Sequence, residues 1–498
     1  MNESSEQMFT PQLRLHSLSW LFALAASVRQ MIIPLIALFF FGARDEASAM
    51  APMLLPLLVA ALLARALWRQ WIFRYGFGPR GLVILDGLFF RNVRQIEYGR
   101  IENIDTERGL LHRLFGVADV SVQTSTGGKD EARISVLGLA AVQEMRERIF
   151  AGEPRAMHAA STAERLLHLP APELVRFGLI DNRGMIIVAA GGGALYEFGF
   201  PDLNRDILFS WLDAAPFAQI AGLGPVLQVL FALAAIVAAL LSVRILSVLL
   251  ALVTLFDFTL TRDGSDLRIR HGLLTRIALT VRTPRIQAVH QTRSLLHRWF
   301  KRASLTVDLT GDAGNTADAE QQNANARTRW LAPLCRPDDA PRLIAAALPD
   351  LDLTLEPAWR GLASGARGRI LRRTFLGYAL LTVVPALWYF GAGAALVLLA
   401  GLPLAWLHAH LYVKHTAWAL TRDAVLFRSG WLTRRLAIAP RDRVQVVALE
   451  SSPFDRRWRM ASVLVDTAGA ALGRRIRVSY LDESVARELA EELYALRA

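Results

Sequence analysis

The chain repeats itself three times. The segment ILDGLFFRNVRQIEYGRIENIDTERGLLHRLFGVADVSVQT aligns without a gap with IRHGLLTRIALTVRTPRIQAVHQTRSLLHRWFKRASLTVDL and with FRSGWLTRRLAIAPRDRVQVVALESSPFDRRWRMASVLVDT. Gly87, Gly272 and Gly430 fall in register, as do Arg100, Arg285 and Arg443, then Arg113, Arg298 and Arg456, then Ala118, Ala303 and Ala461. The offsets are constant, 272 minus 87 or 185 and 430 minus 272 or 158, so one structural unit is used three times over.

Each copy follows a pair of apolar runs. Trp20 to Phe41 and Met50 to Trp68 precede the first, Met185 to Phe200 and Gly222 to Phe256 the second, and Phe375 to Phe390 and Ala394 to His410 the third. Crossing a ~30 Å hydrocarbon layer takes about 20 helical residues, so these runs predict six transmembrane helices in three hairpins. Hydrophobic residues make up 53% of the 498 and the mean hydropathy is +0.31, an excess over the ~45–50% of soluble chains that a bilayer accommodates. The predicted organisation is a cytoplasmic N-terminus (1–19), hairpins at 20–70, 185–256 and 375–412, soluble modules at 71–155, 257–350 and 413–498, and connecting segments at 156–184 and 351–374. The second module carries a polar insertion at 311–329. The start, MNESSEQMFTPQLRLHS, lacks the basic opening and small-residue cleavage site of a secretory signal, so the first run is expected to persist.

Charge sets the expected orientation. Arg65, Arg69, Arg74 and Arg80 follow the first hairpin and Arg360, Arg367, Arg369, Arg372 and Arg373 precede the third, whereas the hairpin tips hold only Arg44 and Arg205. The positive-inside rule then places both termini and all three modules in the cytoplasm. Trp68, Arg69, Trp71, Arg372, Arg373, Trp406 and Trp418 sit near predicted span ends and are candidates for the lipid interface. The excess of 56 Lys+Arg over 44 Asp+Glu is nearly all arginine and forms no compact basic tract, which argues against nucleic acid. The lone Cys335 excludes an intramolecular disulfide and a thiolate metal cage.

Within each module the pattern is β. Short runs such as Val117, Val120 and Val122, or Val463 and Val465, alternate with polar residues, and Asp86-Gly87 signals a tight hairpin. A helix closes each copy, with Val142, Met145 and Ile149 forming the apolar stripe in the first and Val485, Leu489, Leu493 and Leu496 in the third, where Asp482 is placed to cap; Asp338, Asp339 and Pro341 mark the helix start in the second.

A multistranded sheet with one carboxy-terminal helix, a Gly-Leu or Gly-Trp hairpin, a later Arg-Ile or Arg-Val, and a hydrophobic-Arg-aromatic turn before a Val-rich strand resemble the bacterial pleckstrin-homology (PH) domain. Three copies, each behind a helical hairpin, resemble the YdbT-like family of multi-pass membrane proteins. The resemblance implies α-helical membrane hairpins plus three small α+β PH-like domains, in a bacterial cytoplasmic (inner) membrane protein. It further implies a non-enzymatic scaffolding role beside a smaller relative carrying a single such domain.

Several residues invite chemistry. Arg100, Arg285 and Arg443 either contact a lipid phosphate or partner carboxylate, or pair with an acid of their own domain. Arg29 and Arg244 lie inside predicted spans, where a central arginine costs roughly 2.5–3.5 kcal/mol; they either line a polar route between helices or snorkel to the surface. Arg91 and Arg94, Arg276, and Arg434 and Arg435 partly fill the hairpin position that gathers basic residues in phosphoinositide-binding PH domains; each attracts anionic lipid by about 1 kcal/mol whatever the headgroup, so the contact expected there is non-specific. His408, His410 and His415 do not share one helical face, so no metal site is expected, and Gly191, Gly192 and Gly193 suggest close helix packing. No phosphate loop, HExxH or nucleophile elbow occurs, so neither catalysis nor a cofactor is expected. The sequence thus predicts a non-catalytic membrane scaffold that binds a partner protein or anionic lipid headgroups, with a transport or export component as the alternative.

Overall fold

The computed structural model describes residues 11–28, 51–87, 92–124, 132–149, 164–197, 224–310, 330–352, 356–390, 394–467 and 475–494. The repeat resolves into two small sheets and a closing helix. In the first copy β1 (Leu13–Arg14), β2 (Arg74–Phe77), β3 (Gly81–Asp86) and β4 (Asn92–Glu97) form an antiparallel sheet in that order. One turn of 3-10 helix, Tyr98–Arg100, leads into β5 (Ile101–Arg108), β6 (Val117–Thr124) and β7 (Ala132–Gly138). Alternation buries Val117, Val120 and Val122 completely. Of the helices, α1 (Ser19–Val28) and α2 (Ala51–Ile72) precede the domain, α3 (Leu110–Leu114) is a single turn before β6, and α4 (Leu139–Ile149) lays Val142, Met145 and Ile149 into the core.

The second copy runs β8 (Glu164–His168), α5 (Ala171–Ile180), α6 (Arg183–Glu197), α7 (Pro225–Leu255), β9 (Thr259–Asp263), β10 (Asp266–His271), β11 (Arg276–Arg282), β12 (Ile286–Arg293), α8 (Leu295–Trp299), β13 (Ala303–Leu309), β14 (Trp330–Cys335) and α9 (Ala340–Ala347). The third runs α10 (Ala366–Phe390), α11 (Ala394–His415), β15 (Ala417–Leu420), β16 (Ala424–Ser429), β17 (Arg434–Pro440), β18 (Val444–Glu450), α12 (Pro453–Arg456), β19 (Met460–Thr467), β20 (Ile476–Asp482) and α13 (Glu483–Tyr494). In α13, Leu489 and Leu493 of the expected stripe are buried and Val485 packs partly against them.

The recurring glycine ends the β3, β10 and β16 strands. Gly272 (φ +111°) and Gly430 (φ +83°) are left-handed, and a Cβ there would lie 1.9 Å from the Thr275 carbonyl oxygen or 2.2 Å from that of Thr433. Only glycine fits. The turns are longer than the two-residue hairpin that Asp-Gly suggests, since His271 pairs with Ile277 and Ser429 with Arg435.

The domains are spliced through their sheets. The order β7-β6-β5-β11-β10-β9-β8 joins the second half of the first domain to the first half of the second, and β14-β13-β12-β17-β16-β15 does the same one domain later. Both splices have one register. Arg276, Ile277 and Ala278 face Arg108, Glu107 and Thr106; adding the repeat offsets gives Arg434, Arg435 and Leu436 facing Arg293, Thr292 and Gln291, which is the pairing found. A one-residue slip would turn each strand's apolar face outward, so this agreement fixes the splice as a property of the repeat.

The connecting segments are partly built into the domains. Within 156–184, expected as a linker, β8 extends the second domain's sheet beside β9, and α5 is clamped by a two-pronged ion pair, Arg302 Nε to Glu173 Oε2 at 2.9 Å and Nη2 to Oε1 at 2.6 Å. These hydrogen bonds hold the Glu173 carboxyl below its usual range. Within 351–374, Arg360 bridges to Trp418. Segments before each hairpin therefore add to the first strand behind it: β1 to β2, β8 to β9, Arg360 to β15.

Among the described residues two helices, Val226–Leu255 and Leu396–His415, are long and apolar enough to cross a bilayer, not the six expected. At 1.5 Å per residue the 15 residues of α6 fall short of ~30 Å, and α10 carries Arg367, Arg369, Arg372 and Arg373 in its first turns. The described part of the first run, α1, is shorter still. Arg29, the hairpin tips and the 311–329 insertion lie outside the described residues.

Candidate anion-binding junction

Where the second domain is spliced to the third, the register sets arginine against arginine. Arg293 at the end of β12 directly faces Arg434 at the start of β17, and like charges placed opposite one another repel. Arg435, Arg428 from β16 and Lys414 at the end of α11 join them around a cavity of about 430 Å³. Among the described residues, none that lines it is acidic. Arg428 lies over the Trp359 ring, 4.4 Å from its centroid, which fixes one cation by its attraction to the π-face. The buried Nε of Arg293 makes no hydrogen bond, and a desolvated donor of this kind costs free energy until an acceptor reaches it. Such a cavity suits an anion with several acceptor oxygens, a phosphate or carboxylate, because guanidinium forks match both.

The cavity sits at the foot of an apolar helix. Lys414 and His415 are the last residues of α11, so a ligand here lies where that helix passes into the soluble domain. Single-turn helices at the equivalent site of each repeat expose apolar side chains: Leu110, Leu111 and Leu114 in the first, Leu295 and Trp299 in the second, Phe454 of α12 in the third. The Phe22 ring of α1 lies tilted against His112 with centroids 4.3 Å apart in the first copy, and Arg369 of α10 pairs with Asp455 at 2.9 Å in the third, which places these turns against the bases of the hairpins. The first splice repeats the charge arrangement, with Arg108 opposite Arg276 and the Arg108 Nε likewise buried without a hydrogen bond.

The recurring arginines share a position but not a task. Arg100, Arg285 and Arg443 each end the one-turn 3-10 helix. Arg100 is 61% exposed, and among the described residues it pairs with Glu97 of the same turn, at 3.3 Å. Arg285 donates from Nη2 to the Thr310 carbonyl at 3.3 Å. Arg443, 11% exposed, crosses the splice: Nη1 donates to the carbonyls of Thr283, at 3.3 Å, and Ile286, and Nη2 reaches Asp350 at 3.5 Å.

The other candidates fall differently. Trp418 is not at the lipid interface; it is 2% exposed in the core of the third domain, because β15 places it where the repeat has Tyr75 and Leu260, both buried. Trp68, Trp71 and Trp406 are exposed. Arg372 lies 4.6 Å from the centre of the Trp458 ring and Arg373 donates to the Tyr480 hydroxyl at 3.1 Å, so both tie α10 to the third domain; the side chain of Arg69 is outside the described set. Arg244 donates to the carbonyls of Leu179 and Asp181, each at 3.2 Å, and to Asn182 Oδ1 at 2.9 Å. That is the carbonyl-rich end of α5, where a cation is stabilised. His408 accepts from the Trp431 indole at 3.1 Å, His410 stacks on Trp406, and His415 bonds to the Leu411 carbonyl. Close helix packing uses Gly178, Gly184 and Gly401, whose Cβ positions are blocked within 2.5 Å, whereas Gly193 meets nothing within 4 Å. Burial pushes the Cys335 thiol up to about 12, which keeps it protonated and inert. Among the described residues no three His, Cys, Asp or Glu side chains gather as a metal site.

Arg293, Arg428, Lys414 and Trp359 escaped the sequence reading. A signal existed: Arg108 and Arg293 occupy one column of the repeat, opposite the basic hairpin column of Arg276 and Arg434.

The profile described as "Bacterial PH domain" matches three times, over residues 22–152, 213–334 and 374–497; the first and third matches take in the closing helix, and the second stops within β14. The chain belongs to the bacterial PH domain family. It is 23% identical over 505 residues to the UPF0699 transmembrane protein YdbT of Bacillus subtilis (strain 168), covering 97% of each chain. No solved structure matches it. Its two long apolar helices and this transmembrane relative associate it with the membrane.

Proposed function

We propose that this protein is a non-catalytic scaffold of the bacterial inner membrane whose cytoplasmic PH-like domains, joined through their sheets, bind an anionic lipid headgroup at the splice between the second and third. The cavity that gathers Arg293, Lys414, Arg428, Arg434 and Arg435 at the foot of α11 carries the reading. The exposed apolar turns supply the second half of a lipid contact, since apolar side chains at a bilayer surface and adjacent arginines reinforce one another. The transport alternative has Arg29 and Arg244 lining a route, and Arg244 is instead held by three acceptors at the end of α5.

The test is native mass spectrometry of the full-length protein extracted from membranes containing phosphatidylglycerol and phosphatidylethanolamine. Wild type should retain the anionic lipid preferentially. The Arg434→Ala/Arg435→Ala variant should lose that preference, while Arg487→Ala, on the exposed face of α13 and away from the cavity, should keep it. Equal retention by all three refutes the headgroup reading.

A further inference from the structure

Each splice uses the strand that follows the 3-10 turn in one domain and the strand that precedes it in the next. Three strands of each kind exist, and the two splices use β5 with β11 and β12 with β17. Among the described residues one of each kind is left over: β4 and β18 are outer strands of their sheets. Their surfaces show what a splice would cover. At matching columns Leu436, Ala437 and Ile438 of β17 are half-buried or buried and Ala278, Leu279 and Thr280 of β11 are half-buried, whereas Val93, Arg94 and Gln95 of β4 are exposed. Val93 is 42% exposed, and Val446 and Leu449 of β18 are 54% and 45% exposed. Neither strand contains proline, the usual protection of an open edge.

We propose that β18 of one copy of this chain pairs with β4 of a second, making between molecules the splice that the chain makes twice within itself. The occupant is a second copy because both halves of the missing junction are on the same polypeptide and continue an interface already formed twice in one register. Carrying the offsets on, Glu450, Leu449 and Ala448 face Asn92, Val93 and Arg94. A contact between two different patches of one molecule is head-to-tail, so copies close into a ring or extend as a row.

Disulfide trapping in membranes tests it. Two full-length forms with different tags, both Cys335→Ala, are coexpressed, one bearing Val93→Cys and the other Leu449→Cys. Directly opposed residues in an antiparallel pair lie about 4.5–5.5 Å apart at Cα, within disulfide reach. Mild oxidation should join the two tags, and pairing Val93→Cys with Val446→Cys, out of register, should join them far less. Wild type in lipid nanodiscs, which needs no substitution, should show the mass of more than one copy. A single-copy mass, equal trapping at both pairs, or recovery of another protein, such as a single-domain relative, at Leu449→Cys overturns the proposal.

Discussion

Arg443→Ala should loosen the splice between the second and third domains while the same change at Arg100 does almost nothing, although both arginines occupy one column of the repeat. Arg443 gives two charge-assisted hydrogen bonds to the Thr283 and Ile286 carbonyls from a site only 11% exposed. Each such bond contributes about 1.5–3 kcal/mol, although the Thr283 carbonyl keeps the Ile286 N–H as a donor; the third partner, Asp350, is 83% exposed and adds little. Since neighbouring bonds are not additive, the expected loss is about 2–4 kcal/mol. Arg100 loses one exposed ion pair, about 0.2–1 kcal/mol. Hydrogen exchange on the full-length protein in nanodiscs reads this locally. Amides of β12 and β17 should exchange roughly thirty-fold to a thousand-fold faster in Arg443→Ala, at about 1.4 kcal/mol per decade, with β5 and β11 unchanged. Indistinguishable exchange in the Arg100 and Arg443 variants would refute the argument.

Trp418→Ala should cost about 3–5 kcal/mol by emptying a site that is 2% exposed, against less than about 0.5 for the half-exposed Trp406→Ala, as measured by thermal melts in detergent. Burial pushes the His297 imidazole from 6.5 down to about 4, so the folded protein refuses a proton that the unfolded chain accepts. That contribution is complete above about pH 6.5 and disappears as pH falls toward 4; the melting temperature should decline across this window, less steeply in His297→Gln, and equal slopes would exclude the assignment. Gly401→Ala puts a methyl 2.0 Å from Tyr378, whose hydroxyl bonds to the Val397 carbonyl at 2.8 Å, and should destabilise the α10–α11 hairpin by about 1–3 kcal/mol; an unchanged melt would show that the ring can move aside.

The sequence carried whatever the repeat writes into every copy. Gly272 and Gly430, the closing helix with Met145 at its centre, and the alternation of Val117, Val120 and Val122 depend on near neighbours in the chain, so their spacing encodes them. The splices do not: β11 finds β5 across a hairpin, and a free strand edge has no sequence signature beyond lacking protection. Trp418 shows how position can mislead. A tryptophan a few residues past a long apolar helix reads as an interface ring, yet the offset to Tyr75 and Leu260 marks it as core. The candidate cavity was half legible, with Arg434 and Arg435 visible in the hairpin column, while Arg293 and Lys414 became its neighbours only through strand pairing and the end of α11.

The splice also sets a timetable for synthesis. Arg108 leaves the ribosome 168 residues before its partner Arg276 (276 minus 108), and at roughly 5–20 residues per second β5 waits about 8–34 s for the strand that will lie beside it. A nascent chain with a naked strand, tethered to a membrane crowded with its own kind, is poised for mispairing during that interval, so slow codons between the two positions should lower yield even though the finished protein is identical.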